Sequence, residues 1–364
     1  MEINKKYHSN SRKLLLSTVL LSLIVILPIV ALIISTVNID TSNFKYLWNN
    51  LLFDYSFDTI YLVSITSFFS LLFGVLPAWY ISTNNFKGNN IYDVLLYLPL
   101  AIPVYIMAFT YSDILSYTGP MQSFARDYFP DIAGFLNQDY LQIEVLGVIM
   151  ALALYPYIYT ACRLSFSLVG ANYIDLSRSL GMSRTKTFYK IVIPLSRVSI
   201  FSGLFLVIME VLNEYGAVKY FGVNTFTSGI FRSWYSMQDV ETASLLAVFL
   251  FFIVVLFFSL ERFFNSRYNF NYKPNTKKFK SEDPTFSKKL VIHLMCLIPI
   301  FLGFIIPILF IIGNVVYEFD RIDFEKVLNL TSNTFIVSLI AIKETINVFE
   351  VKFNTFSKSI LSNS

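Results

Sequence analysis

The 364-residue chain is 55% hydrophobic and only 14% charged, and its mean hydropathy is +0.60. This composition excludes a soluble domain, because too little polar surface is available to cover one, and it predicts an all-α polytopic membrane protein. The formal net charge of +4 is small and dispersed along the chain, which argues against nucleic acid as a partner.

Cysteine and histidine are too scarce for the common kinds of catalytic or metal site. Cys162 and Cys296 fall in or at the end of apolar runs, so neither a disulfide framework nor thiol chemistry is expected. His8 and His293 form no cluster of metal ligands. No residue is therefore predicted to be catalytic or to hold a metal or cofactor. A membrane-embedded enzyme is disfavoured because no nucleophile has a base at suitable spacing.

The first apolar run extends from Leu14 to about Val37, after a basic N-terminal stretch. At about 1.5 Å per helical residue it is long enough to cross a hydrocarbon core of about 30 Å. A cleaved signal peptide is the alternative. It is disfavoured because the run is longer than a usual signal core and lacks a clear small-residue cleavage site.

Five further apolar runs complete a six-span unit that we assign to residues 1–262. They cover residues 58–82, 91–112, 143–166, 195–220 and 241–261. Lys and Arg concentrate near Lys87, between Arg163 and Arg197, and between Arg262 and Lys289. Since basic loops stay in the cytoplasm, these loops and the N-terminus are expected on that side.

A polar and basic segment, residues 172–194, separates two of these spans on the predicted cytoplasmic side. Asn172 is a candidate cap for a first short helix, which Gly181 would end in a left-handed conformation. Ser183 can cap a second helix, and Pro194 is expected to mark the start of the next span. A helical hairpin of this kind fits a groove in a soluble partner.

The same segment carries a family motif, in the residues Gly181, Ile191, Ile193 and Pro194. Their spacing resembles the G-x9-I-x-L-P pattern of the cytoplasmic loop in permease subunits of bacterial binding-protein-dependent ABC importers, with Ile193 in place of leucine. The loop of that family opens with Glu-Ala-Ala, where this chain has Asp175, Leu176 and Ser177.

The resemblance implies a type I importer fold in the bacterial inner membrane and a permease that makes and breaks no bonds. Its implied partners are a cytoplasmic ABC ATPase dimer that hydrolyses the ATP, a periplasmic substrate-binding protein, a second permease half on the same or a separate chain, and membrane lipid. Asp175 and Gly181 would set the hairpin geometry, and Phe188 and Ile191 would fill a groove of the ATPase. Acidic surface or lipid headgroups would be contacted by Arg184, Lys186 and Lys190.

Two other stretches resemble permeases that import ferric iron. They are Leu98–Gln122 and Asn213–Tyr235. The resemblance implies ferric iron as the cargo, delivered by the binding protein. Polyamine, thiamine and sulfate permeases are related, so these cargoes stay open as alternatives.

The fifth span contains the carboxylates Glu210 and Glu214, with Asn213 between them. A spacing of i and i+4 would place both carboxylates on one helix face, and ionisable groups in a span usually face the bundle interior. The three residues are therefore candidates for the transport pathway, although Glu214 could instead lie at the outer interface. An ion-gradient secondary transporter is the alternative function, with the two carboxylates as its ion sites.

A second membrane unit is expected after a charged, asparagine-rich linker at residues 263–289. Residues 290–342 would contain a seventh span, from Leu290 to about Val316, and the start of an eighth. The tail at 343–364 is polar, and its Lys and Glu would be costly at mid-depth, about 2.5–3.5 kcal/mol each.

We therefore expect the chain to depart from its ancestral frame near Ile342, which would leave the second half truncated. A short re-entrant end is the alternative. Two further possibilities follow: a non-functional remnant, or a half that pairs with itself or with a separately encoded half.

Overall fold

The computed structural model describes residues 18–19, 22, 26–36, 41–84, 86–266 and 286–340. Within these residues every regular element is helical, which confirms the predicted all-α class. The backbone groups into two compact units, Met1–Phe310 and Ile311–Ser364. The predicted polar tail and most of the predicted linker lie outside the described residues.

The first eight helices are α1 (Ile26–Ser35), α2 (Thr41–Asn50), α3 (Leu52–Thr83), α4 (Asn89–Leu95), α5 (Val104–Leu115), α6 (Pro120–Tyr128), α7 (Pro130–Leu136) and α8 (Ile143–Ser179). They are followed by α9 (Arg184–Asn213), α10 (Gly216–Tyr220), α11 (Phe226–Phe231), α12 (Val240–Ser266) and α13 (Phe286–Tyr317), and then by α14, residues 324–340. Short π-helical segments lie within α9 at Phe188–Val192 and within α13 at Phe301–Ile305.

Five of the described helices, α3, α8, α9, α12 and α13, are long and apolar enough to cross a membrane. They correspond to the predicted second, fourth, fifth, sixth and seventh spans. Of the predicted first span, the structure describes the short apolar helix α1. The expected eighth span begins within α14, and its last residues, from 341, lie outside the described part of the chain.

The predicted third span, residues 91–112, is not one straight helix. The chain from Asn89 to Ala101 and the chain from Val104 to Tyr128 meet at an angle of 91°. The break lies at Ile102, whose φ of −103° and ψ of 115° are extended. Pro103 explains this geometry, because a proline disfavours helical backbone in the residue before it and has no N–H to donate.

The core of the larger unit is α8, which packs against α3 on one side and α9 on another. Tyr155, Ile158 and Tyr159 in the middle of α8 are fully buried. Glycines allow the close approach of the helices: a Cβ added at Gly203 of α9 would lie 2.9 Å from the Ile158 Cα. A Cβ at Gly147 of α8 would lie 2.6 Å from a methyl carbon of α3. Small residues at such crossings are typical of helix packing in membranes.

Candidate functional site

The turn between α8 and α9 is built around Gly181, as the sequence predicts. Gly181 has a φ of +74°, in the left-handed region. The Met182 N–H donates to the Ser177 carbonyl at 2.9 Å, which is the long hydrogen bond of a Schellman motif. Ser183 then caps α9, and its hydroxyl accepts from the Lys186 N–H at 3.4 Å. The predicted helix end and the second cap are confirmed.

Two other expectations for this segment are wrong. Asn172 does not cap a separate helix, because α8 continues without interruption to Ser179. Pro194 does not start a new span, because α9 runs through it from Arg184 to Asn213. The π-helical turn at Phe188–Val192 ends with the Ile193 N–H donating to the Phe188 carbonyl. This wider turn lets the helix accommodate a residue that lacks an N–H.

A buried pair of hydroxyls closes the hairpin. The Ser177 and Thr187 hydroxyl oxygens lie 2.9 Å apart and share a hydrogen bond between α8 and α9. Both residues are almost completely inaccessible to solvent. Because a hydrogen bond is stronger where water is excluded, this contact holds the two arms of the hairpin together.

Phe188 does not face outward, so the expectation that it fills a groove of a partner is wrong. Its side chain is 5% exposed, and its ring lies 5.1 Å from the ring of Trp79 on α3. Phe166 on α8 contacts both rings, at 6.2 Å from Trp79 and 6.4 Å from Phe188. Through these rings, the hairpin residue Phe188 is packed against both α3 and α8. Ile191 and Ile193 are half-buried.

The residues that the hairpin does expose are different ones. Leu176 is 59% exposed, Leu180 is 71% exposed and Tyr189 is 62% exposed. Tyr173, at 40%, lies on the same face of α8, since positions i, i+3 and i+7 share a helix face. We call Tyr173, Leu176, Leu180 and Tyr189 the hairpin surface. The backbone of Asp175 is helical, and its side chain lies outside the described part of the structure.

A polar cluster next to the hairpin was not predicted from the sequence. Arg163 of α8 and Asp93 of α4 form an ion pair at 3.3 Å, and the Tyr159 hydroxyl donates to the same carboxylate. Arg163 also donates to the Ser82 hydroxyl at 3.3 Å. The sequence did contain a signal for this cluster: Asp93 lies in the predicted third span, and a charge inside a membrane needs a partner.

A second polar contact connects the hairpin to the end of α3. The Arg184 guanidinium donates to the Asn84 side-chain oxygen at 2.9 Å. Asn84 in turn donates to the Tyr80 carbonyl at 2.9 Å. The start of α9 is therefore attached to α3 by this hydrogen bond as well as by the aromatic rings.

The structure separates Glu214 from the other two candidate pathway residues. Helix α9 ends at Asn213, and Glu214 has an extended ψ of 119°. The expectation that Glu210 and Glu214 share a helix face is therefore wrong. Glu214 instead accepts the Ala217 N–H, in the first turn of α10, at 2.9 Å. Glu210 is exposed and accepts the Tyr157 hydroxyl at 3.4 Å. Glu210 and Asn213 line a groove of about 250 Å³ between α9 and α12.

Among the described residues, no group of three or more His, Cys, Asp or Glu side chains is placed to hold a metal ion. The side chains brought together at the hairpin are apolar, aromatic and basic. The apolar and aromatic side chains of the hairpin surface are exposed, and Phe188 and Arg184 connect the hairpin to α3.

Comparison with known proteins identifies a family that matches this chain. The family described as "Binding-protein-dependent transport system inner membrane component" matches residues 70–269, which include the hairpin. The sulfate transport system permease protein CysT of Salmonella typhimurium is 25% identical over 174 residues, covering 46% of this chain and 57% of that protein. The Fe(3+)-transport system permease protein FbpB 2 of Haemophilus influenzae is 24% identical over 286 residues, covering 77% of this chain and 52% of that protein.

The molybdenum transport system permease protein ModB of Escherichia coli is 28% identical over 163 residues, covering 44% of this chain and 68% of that protein. A bacterial alginate ABC transporter, solved in complex with an alginate pentasaccharide-bound periplasmic protein, has a chain of similar fold. The TM-score is 0.55 at 16% identity, covering 70% of this chain and 94% of that chain. This chain spans 57% and 52% of the lengths of the sulfate and Fe(3+) permeases, about half of each.

Proposed function

Since this chain belongs to the family of binding-protein-dependent transport system inner membrane components, we propose that it is the permease of an ATP-driven importer. Its residues 172–194 would dock on a cytoplasmic ABC ATPase dimer. A periplasmic substrate-binding protein would deliver the cargo at the opposite end. A second permease half, on the same or a separate chain, would complete the transport path.

The observation that carries this proposal is the construction of the hairpin. Four apolar or aromatic side chains are exposed on it: Tyr173, Leu176, Leu180 and Tyr189. A surface of this kind is suited to a groove in a soluble protein. Behind it, the Ser177–Thr187 hydrogen bond joins the two arms of the hairpin, and the buried ring of Phe188 packs against Trp79 of α3.

This construction supports a mechanism of alternating access. When the ATPase dimer closes, a push on the hairpin surface would move α8 and α9 as one body. The Trp79 contact would pass that movement to α3. Packed cores change between discrete arrangements rather than deforming continuously, so the spans would switch between inward-open and outward-open states.

The proposed cargo is ferric iron. The alignment with the Fe(3+) permease covers 77% of this chain, compared with 46% for the sulfate permease and 44% for the molybdenum permease. The identities are similar, so the longer alignment is what favours iron. Glu210 and Asn213 are the proposed pathway residues, and Glu214 is removed from that set because its carboxylate is hydrogen-bonded to the first turn of α10.

The division of the chain is also a proposal. Residues 1–262 would form the first permease unit, with residues 290–342 as the start of a second. Residues 263–289 would be the cytoplasmic linker between them. Helix α12 extends to Ser266 and α13 begins at Phe286, so the described helices continue a few residues into the predicted linker from both sides.

An uptake assay tests the function. The full chain would be reconstituted in proteoliposomes with its ATPase, its binding protein and any separately encoded second half. Uptake of radiolabelled ferric iron, sulfate and molybdate would then be measured with and without ATP. We expect ATP-dependent uptake of ferric iron. Uptake of sulfate or molybdate instead would contradict the cargo, and uptake driven by an ion gradient alone would contradict the importer class.

A matched pair of variants tests the hairpin surface in the same assay. Leu180→Ser removes the most exposed apolar side chain of the hairpin surface and should reduce ATP-dependent uptake severalfold, as expected if its loss from the interface costs about 1 kcal/mol. Leu141→Ser makes the same change just before α8, at its other end, and should leave uptake unchanged. Equal uptake by both variants would argue against docking through this surface.

A further inference from the structure

A cavity of about 370 Å³ lies beside the hairpin, between the end of α3 and the starts of α9 and α13. Its apolar lining residues are Leu76, Trp79, Phe188, Val291 and Ile292. Its other lining residues are Tyr80, Thr83, Asn84, Arg184, Thr185, Tyr189, Ser287 and Lys288. Among these described lining residues two are basic and none is acidic.

The two basic lining residues come from different helices. Arg184, at the start of α9, is oriented by its hydrogen bond to Asn84 at 2.9 Å. Lys288, in the first turn of α13, is exposed. The cavity is therefore lined by two positive charges.

The position of the cavity within the spans limits what can occupy it. It is lined by the last residues of one span and the first residues of two others, which places it where spans reach the membrane interface. An occupant there must present a negative group toward water and an apolar body toward the bundle. A phospholipid has this shape, and a soluble anion has no apolar part to cover the Trp79 and Ile292 side.

We infer that this cavity binds an anionic phospholipid from the leaflet that the hairpin faces. The headgroup phosphate lies between Arg184 and Lys288, and an acyl chain covers the apolar wall. Phe188 and Tyr189 line the same cavity, so the lipid contacts the hairpin directly. A bound lipid therefore stabilises the position of the hairpin against α3 and α13.

Trp79 provides the probe, because it lines the cavity. The chain has three tryptophans, and Trp48→Phe with Trp234→Phe leaves Trp79 as the only one. The full chain in detergent micelles would be titrated with phosphatidylglycerol brominated on its acyl chains, and separately with brominated phosphatidylcholine. We expect Trp79 fluorescence to be quenched at several-fold lower concentrations of the anionic lipid.

Two lysine variants identify the headgroup contact. A basic residue near an anionic lipid surface changes binding about fivefold, so Lys288→Gln should remove about that much of the preference for phosphatidylglycerol. Lys289→Gln removes the same charge from the next residue of α13, which does not line the cavity, and should leave the preference unchanged.

Three results would overturn the inference. Equal quenching by the neutral lipid would show ordinary lipid contact without recognition of the headgroup. Displacement of the brominated lipid by millimolar inorganic phosphate or glycerol phosphate would show a site for small soluble anions. An equal loss of preference in the Lys288→Gln and Lys289→Gln variants would show general attraction to a basic surface.

Discussion

Gly181 is surrounded by open space, yet its backbone conformation restricts which residues can replace it. A Cβ at this position would meet no atom within 4 Å, so a larger side chain causes no clash. Its φ of +74° is nevertheless costly for other residues, about 1–2 kcal/mol, and more for β-branched ones. The effect of a substitution here on uptake therefore measures how much transport depends on the left-handed turn.

We expect Gly181→Val to reduce ATP-dependent uptake severalfold, because valine disfavours the left-handed turn that positions the hairpin surface. Gly181→Asn should retain most of the activity, since asparagine adopts this conformation more readily. Uptake in proteoliposomes, normalised to the amount of inserted protein, is the measurement.

Gly134→Val is a suitable control for that prediction. Gly134 lies in α7, also has no atom within 4 Å of an added Cβ, and is not among the glycines of positive φ. This variant should transport normally. If Gly181→Val also transports normally at equal expression, the turn is not needed for coupling.

At the scale of single residues, the sequence predicts what neighbours along the chain determine. The left-handed Gly181 and the Ser183 cap follow from local backbone chemistry, and both are confirmed. Whether Phe188 is buried or exposed depends on which helices pack around it. The amphipathic pattern therefore placed it on the partner-facing surface, although it is buried against Trp79. Glu214 was misplaced for a similar reason, because α9 ends one residue before it.

At the scale of helices, prolines had unequal effects that composition alone does not distinguish. Pro103 breaks the predicted third span by 91°, whereas Pro156 lies inside the continuous helix α8. Pro194 is accommodated by the π-helical turn before it. The apolar runs therefore predict where spans occur, and packing decides whether each span is straight, widened or broken.

The crossing of α8 and α9 gives a prediction at this scale. Gly203→Ala would place a Cβ 2.9 Å from the Ile158 Cα, which is backbone and cannot move aside easily. Overpacking of this kind costs about 1–3 kcal/mol. At about 2–4 °C per kcal/mol, the unfolding temperature of the purified protein should fall by roughly 2–12 °C.

Gly313→Ala is the matched comparison, since Gly313 is also helical and an added Cβ there meets nothing within 4 Å. Both variants gain the higher helix propensity of alanine, so only the close contact differs. Gly313→Ala should unfold at the same temperature as the unmodified protein or higher. An equal change in the two variants would show that the helix crossing tolerates a methyl group.

For the larger unit as a whole, the contacts define two ends. The end of α3 and the start of α9 meet through Asn84 and Arg184, so they lie at the hairpin end. The starts of α3 and α8 meet at the other end, where Tyr61 donates to Glu144 at 3.0 Å. Basic residues at the hairpin end are Arg163, Arg184, Lys186, Lys190 and Lys288, and carboxylates near the other end include Asp54, Asp58 and Glu144. This distribution supports a cytoplasmic hairpin.

Cysteine labelling tests that orientation in the whole molecule. Cys162 and Cys296 are fully buried, so a membrane-impermeant maleimide should give little background. Lys186→Cys lies in the exposed part of the hairpin, and Asn137→Cys lies in the exposed segment before α8. In intact cells we expect labelling of Asn137→Cys alone, with Lys186→Cys labelled only in inverted membrane vesicles. The reverse pattern would place the hairpin surface outside the cytoplasm, where no ATPase could reach it, and would contradict the proposed coupling.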